Sequence, residues 1–94
     1  MTQPFTGSVA SLIEQRLRAA LAPTRLVVTN DSGKHRGHSG DDGSGESHFT
    51  VEVEATLFEG MSRVERQRAV NSALADLLRD RIHALAIKAR APGE

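Results

Sequence analysis

The sequence predicts a small α+β domain with the element order αββαβ, in which a three-stranded mixed sheet carries both helices on one face. Three patterns predict it: apolar residues at helical spacing near the start, a strictly alternating segment at 49–55, and a capped amphipathic helix from residue 63 followed by a strand. The 94 residues supply one core, since a second would need roughly 40 or more residues of its own. We therefore expect a single domain over residues 1–94.

The first two elements are an amphipathic helix and a short strand. Ile13 and Leu17 belong to an apolar stripe at helical spacing that begins near residue 9. Ser8 is a suitable N-cap for this helix, and Pro23 ends it. The aliphatic run at 26–28 is followed by a turn-forming Asn-Asp-Ser-Gly sequence, which predicts the first strand.

A polar segment separates the first strand from the second. Residues 33–46 include five glycines and almost no apolar side chain, so they bury too little surface to offset the entropy of ordering. We expect a mobile loop here, and it carries His35 and His38.

The second half of the chain predicts a strand, a helix and a strand. Apolar and polar residues alternate at 49–55, which predicts a strand with one buried face. Ser62 and Glu65 have the spacing of a capping box, so a helix begins near Arg63. The alternating run at 84–90 is the third strand. The predicted core includes Phe49, Val51, Val53, Leu74, Leu77, Leu85 and Ile87.

The strand–helix–strand order has a geometric consequence for the histidines. If the second and third strands share a sheet, the crossover makes them parallel, so both begin at the same edge. His83 precedes the third strand, and the loop with His35 and His38 precedes the second. These histidines can therefore meet. Because the chain has no cysteine, any metal ligand must be His, Asp, Glu or backbone.

Four segments, in this order and spacing, resemble the BolA family of small stress and iron–sulfur proteins: NDS at 30–32, ESHF at 46–49, FEG at 58–60 and HAL at 83–85. The resemblance covers nearly the whole chain. It implies a fold like a type II KH domain and partnership with a monothiol glutaredoxin around a shared [2Fe-2S] cluster that contains glutathione.

The resemblance also implies the cluster ligands. His83 matches the family's ligand before the last strand, and His35 best matches the second ligand, with His38 as the alternative. Iron–sulfur clusters need about four ligands, usually thiolates, so we expect no cluster in the isolated chain. One departure is Gln67, which stands where family members commonly have histidine between two arginines, and its effect stays open.

A second candidate site lies at the start of the second helix. Arg63, Arg66 and Arg68 crowd its first turns, where they can bind DNA phosphate, a glutathione carboxylate or a partner's acidic patch. A solvated charged face is the alternative interpretation. His48 lies on the outward face of the second strand, as a surface hydrogen-bonding residue or a partner contact. The alternative function is a DNA-binding, stress-responsive transcriptional regulator, although a formal net charge of zero predicts weak DNA binding.

The sequence argues against several other functions. Asp31, Ser32 and His35 lie too close together on a glycine-rich segment to form a catalytic triad, and there is no cysteine nucleophile. We therefore expect no enzyme and no small-molecule substrate. The GxxG loop by which KH domains clamp RNA has no counterpart between two helices. No stretch approaches the roughly 20 apolar residues that span a bilayer, and the start lacks signal-peptide features. We expect a soluble cytoplasmic protein without a membrane partner.

Overall fold

A computed structural model describes residues 8–31 and 47–94. The elements are, in order, α1 (Val9–Leu21), β1 (Arg25–Asn30), β2 (His48–Glu54), a 3-10 turn (Thr56–Phe58), α2 (Arg63–Ala73), α3 (Ala75–Asp80) and β3 (Ala84–Arg90). The order αββαβ is confirmed, with the second helix divided in two. The predicted loop at 33–46 lies outside the described residues.

The three strands form one mixed sheet in the order β1-β2-β3. β1 is antiparallel to β2, and β2 is parallel to β3. Val28, Val51 and Ile87 lie side by side in this register, so apolar residues line up across one face. The predicted parallel pairing of the second and third strands is confirmed.

The helices cover that apolar face and form a single hydrophobic core with it. Every second residue of β2 is buried, as the alternation predicted. Five of the predicted core residues are buried, and the two on β3 are partly buried against the same core: Phe49, Val51, Val53, Leu74 and Leu77, with Leu85 and Ile87. The opposite face of the sheet carries the polar alternates such as Glu52 and Glu54, which are half-buried.

α1 begins and ends as its sequence predicts. The Ser8 hydroxyl accepts a hydrogen bond from the Ser11 backbone N–H at 3.2 Å, which caps the first turn. At the other end Ala22 adopts the left-handed conformation, with φ of 47°, and its N–H donates to the Arg18 carbonyl. Pro23 then prevents continuation of the helix.

α2 begins with the predicted capping box. The Ser62 hydroxyl accepts from the Glu65 N–H at 3.1 Å, and the Glu65 carboxylate accepts from the Ser62 N–H at 2.7 Å. The helix that the sequence predicts from Arg63 is interrupted, because Leu74 departs from helical geometry at φ −108° and ψ 14°. Leu74 is fully buried, and its N–H still donates to the Val70 carbonyl at 3.1 Å, so the interruption is confined to this residue.

A short 3-10 turn between β2 and α2 was not predicted. It inserts Phe58 into the core as a fully buried side chain, whereas its neighbour Leu57 is 52% exposed. Gly60 follows at φ of 80°, a left-handed conformation that favours glycine. This turn connects β2 to the capped start of α2.

Candidate functional site

His83 lies at the sheet edge where β2 and β3 both begin. Its backbone N–H donates to the Ser47 carbonyl at 2.8 Å, and the Ala84 N–H donates to the same oxygen at 3.3 Å. These bonds fix His83 beside the first residue of β2, while its side chain is exposed. The predicted position of His83, at the edge where the second strand starts, is therefore confirmed.

His48 is the residue that the structure brings against His83. Their rings stack with centroids 6.1 Å apart and an interplanar angle of 18°. The His48 Nδ1 lies 2.9 Å from the hydroxyl of Ser47, a side chain that is almost completely buried. Sequence reasoning placed His48 only as a surface or partner contact. The signal it missed was the register, in which His48 pairs with Ala84, directly after His83.

The end of β1 lies at the same edge. The Asp31 N–H donates to the His48 carbonyl at 2.7 Å, and the Thr50 hydroxyl donates to an Asp31 carboxylate oxygen at 2.5 Å. The chain therefore leaves β1 and enters β2 next to the histidine pair.

The loop histidines themselves are not placed. His35 and His38 lie outside the described residues, so their assignment as ligands stays a prediction. Within residues 8–31 and 47–94, no group of three or more His, Asp or Glu side chains has the arrangement of a metal site. At the sheet edge this part of the chain offers the imidazoles of His48 and His83 and the carboxylate of Asp31, which accepts a hydrogen bond from Thr50.

Arg66, one of the three arginines at the start of α2, is engaged by a carboxylate. Its Nη1 and Nη2 donate to the Oε1 and Oε2 of Glu94 at 2.5 and 2.7 Å, and its Nε donates to the Met61 carbonyl at 3.1 Å. The guanidinium also lies over the Phe58 ring, 5.9 Å from its centroid. Together with a hydrogen bond from the Ala91 N–H, Arg66 lowers the pKa of Glu94 to about 2.

The other two arginines differ from Arg66 in their surroundings. Arg63 and Arg68 are exposed, and in the described part of the chain neither forms an ion pair. Gln67, between Arg66 and Arg68, is half-buried. The sequence predicted the same role for all three arginines, whereas the structure leaves Arg63 and Arg68 open to solvent and pairs Arg66 with Glu94.

The histidine pair and the arginines are separate sites. His83 precedes β3 and Glu94 follows it, and β3 has seven residues, which span roughly 20 Å at about 3.3 Å per residue. A single small ligand cannot contact both His83 and Arg66.

Most of the chain that carries these sites matches a known protein family. The family description "BolA-like protein" matches residues 17–94. The chain belongs to the BolA-like family. It is 48% identical over 88 residues to an uncharacterized Sinorhizobium protein, named for its position 5′ of cobS, and the match covers 93% of this chain and 95% of that protein.

A curated human relative and a solved plant structure extend the family likeness. Human BolA-like protein 1 is 44% identical over 88 residues, which are 94% of this chain but only 61% of the human protein. BolA1 from Arabidopsis thaliana has the same fold, with a TM-score of 0.82 at 36% identity, over 94% of this chain and 96% of that structure. The BolA resemblance and the small α+β fold are thus confirmed.

Among the helices in the described ranges, none combines the length and apolar character needed to span a membrane.

Proposed function

We propose that this BolA-like chain is a non-enzymatic partner of a monothiol glutaredoxin, and that the two share a glutathione-containing [2Fe-2S] cluster used in iron–sulfur cluster trafficking or in iron and redox sensing. The observation that carries the proposal is the exposed His83 imidazole, fixed at a sheet edge against His48. Membership of the BolA-like family supports it.

The donor set of the chain suits part of such a cluster. Imidazole is an iron ligand in Rieske-type clusters, where two histidines replace two cysteines on one iron. The chain has no cysteine, and His83 is available at the surface, so this chain would supply imidazole ligands only. A glutaredoxin cysteine and the thiol of glutathione would complete the shell. When bound, the cluster supplies one-electron chemistry, with a potential raised by imidazole ligation.

The residues have distinct roles in this proposal. His83 is the first ligand, and His35 is the second, with His38 as its alternative. His48 orients His83 by ring stacking and contributes to the partner contact, and the Ser47 hydroxyl, 2.9 Å from its Nδ1, holds the His48 ring in place.

The proposal is tested by anaerobic reconstitution. The purified chain is mixed with a monothiol glutaredoxin, glutathione, ferrous iron and sulfide, and the products are separated by size-exclusion chromatography with visible absorption and circular dichroism. We expect a coloured heterodimer that neither protein reproduces alone. His83→Ala should abolish its visible dichroism without unfolding the domain, because the side chain is exposed.

Three further histidine variants complete the test. His35→Ala should weaken the cluster signature more than His38→Ala. His48→Ala should retain the visible signature but lower the yield of heterodimer, since His48 orients His83 rather than binding iron. Unchanged heterodimer spectra in His83→Ala would refute the ligand assignment, and a cluster held by the chain without glutaredoxin would refute the sharing.

DNA binding through the start of α2 is the second candidate. The exposed, unpaired state of Arg63 and Arg68 in the described residues favours it, while the engagement of Arg66 by Glu94 counts against it. Sensitivity to salt and to Arg68→Ala is the expected pattern. Submicromolar DNA affinity at physiological salt would place this function above cluster sharing.

A further inference from the structure

A cavity of about 500 Å³ lies where the second halves of β2 and β3 meet the start of α2. This volume is within the range of roughly 300–1,000 Å³ that small-molecule sites occupy. The cavity is separate from the histidine pair, which lies at the other end of the sheet. Charged side chains dominate its walls: Arg25, Arg63, Arg66, Lys88 and Arg90, with Glu52 and Glu54 as the only acids among the lining residues.

The pairings in the cavity leave a surplus of positive charge. Glu54 accepts hydrogen bonds from Arg90 at 3.2 Å and from the Thr24 hydroxyl at 2.9 Å, so Glu54 and Arg90 neutralise each other. Glu52 is adjacent to Lys88 in the strand register. Arg25 lies opposite Glu54 in the strand register, and Arg66 is held by Glu94. The five basic side chains of the wall therefore face three carboxylates, Glu52, Glu54 and Glu94, which leaves two positive charges in surplus. A ligand that fits this cavity is therefore an anion.

Arg66 is already built as a carboxylate receptor. Its two terminal nitrogens hold both oxygens of Glu94, and the Ala91 N–H donates to Glu94 Oε1 at 3.1 Å. The guanidinium is held from behind by the Met61 carbonyl and by the Phe58 ring, and the side chain is only 13% exposed. Because these supports are independent of Glu94, the receptor keeps its geometry when Glu94 leaves.

We propose that the cavity binds a small polycarboxylate, one carboxylate of which replaces Glu94 on Arg66 and the Ala91 N–H. Its other carboxylates are neutralised by Arg63 and Arg25 on the cavity wall. Glu94 is then an internal competitor that occupies the receptor in the absence of ligand. The proposal does not depend on the cluster function, because it uses other residues at the other end of β3.

The planar, two-oxygen geometry of the present occupant favours a carboxylate. Arg binds carboxylate and phosphate in the same bidentate manner, so the receptor alone does not distinguish them. The Ala91 N–H adds a donor to one oxygen of the same planar group, which leaves a third phosphate oxygen without a donor from this receptor.

The test uses citrate as the probe and the full chain as the protein. Citrate is titrated into the wild type, Glu94→Gln and Glu59→Gln by calorimetry and by ¹H–¹⁵N NMR. Glu59 is exposed and does not line the cavity, so its substitution makes the same charge change elsewhere. Glu94→Gln should bind citrate about tenfold more tightly than the wild type, the factor expected if Glu94 leaves the receptor free for about a tenth of the time. Glu59→Gln should bind like the wild type.

Two further variants locate the site. In the Glu94→Gln protein, citrate should shift the Ala91 amide and the Arg66 Nε–H signals, and Arg66→Gln should abolish the binding. Because Arg66 also supports Met61 and Phe58, Arg63→Gln provides a variant at an exposed side chain that does not endanger the fold. It should reduce citrate affinity severalfold while the amide spectrum otherwise stays that of the folded chain.

Three results would overturn the proposal. The first is equal citrate affinity in wild type, Glu94→Gln and Glu59→Gln, which would remove the role of Glu94 as a competitor. The second is inorganic phosphate binding Glu94→Gln as tightly as citrate does, which would leave a general anion site. The third is citrate-induced shifts confined to residues away from the cavity.

Discussion

Replacing Ser62 by alanine tests whether the capping box fixes the start of α2 and with it the positions of Arg63 and Arg66. The substitution removes the acceptor for the Glu65 N–H, at 3.1 Å, and leaves the reciprocal bond from the Ser62 N–H to the Glu65 carboxylate. Ser62 is exposed, so no core cavity is created and water replaces part of the lost bond. We expect a loss of about 1 kcal/mol in the free energy of unfolding, which for a domain of this size lowers Tm by about 4–8 °C.

The matched control is Ser72→Ala in the same helix. Ser72 is also exposed, but it lies within α2 and makes no cap, so alanine should stabilise the helix by up to about 0.5 kcal/mol. Urea denaturation followed by circular dichroism measures both variants. The same serine-to-alanine substitution should therefore lower the free energy of unfolding at Ser62 and raise it at Ser72. Equal shifts of the unfolding midpoint in the same direction would refute the capping argument.

Two more predictions concern the other end of the domain and its core. Arg66 lowers the pKa of the Glu94 carboxyl from 4.5 to about 2, so this pair stabilises the fold fully above pH 4.5 and its contribution is lost as the pH falls through about 2. A ¹³C NMR titration should show the low pKa of Glu94 in the wild type and a higher pKa in Arg66→Gln, where the Ala91 N–H is the remaining hydrogen bond that lowers it. The same pKa in both proteins would disprove the ion pair. Phe58→Ala should destabilise the domain by about 3–5 kcal/mol, because the ring is fully buried. Leu57→Ala, at a side chain 52% exposed, should cost about 0.5 kcal/mol or less, and similar losses for both would contradict the burial of Phe58.

The sheet was predictable because its information is local and periodic. The alternation around Val51 defines which face of β2 is buried, and a strand–helix–strand order predicts the parallel pairing. The capping box of Ser62 and Glu65 was equally visible, since its residues are three positions apart. The break at Leu74 was not, because Leu74 continues the apolar stripe between two alanines and no glycine or proline marks an interruption there.

The candidate sites depend on contacts between distant residues, which sequence patterns specify less well. The sheet topology predicted where His83 would lie, but pairing it with His48 required the register to the exact residue. The contact of Arg66 with Glu94 joins residues 28 positions apart, without a periodic signal. The placement of His35 and His38 beside His83 stays a prediction.

The position of β2 between two partners has a consequence for how the chain reaches its fold. β2 pairs first with β1, but its other neighbour, β3, pairs with residues 36 positions earlier in the chain, as in Glu54 and Arg90. During synthesis, the β2 edge therefore stays unpaired until the intervening helices and β3 have left the ribosome. That edge belongs to a strand with an apolar inner face, which carries Phe49 and Val51, and unpaired strand edges recruit other strands. The interval between the emergence of β2 and of β3 is thus the period in which a nascent chain is most exposed to misassembly.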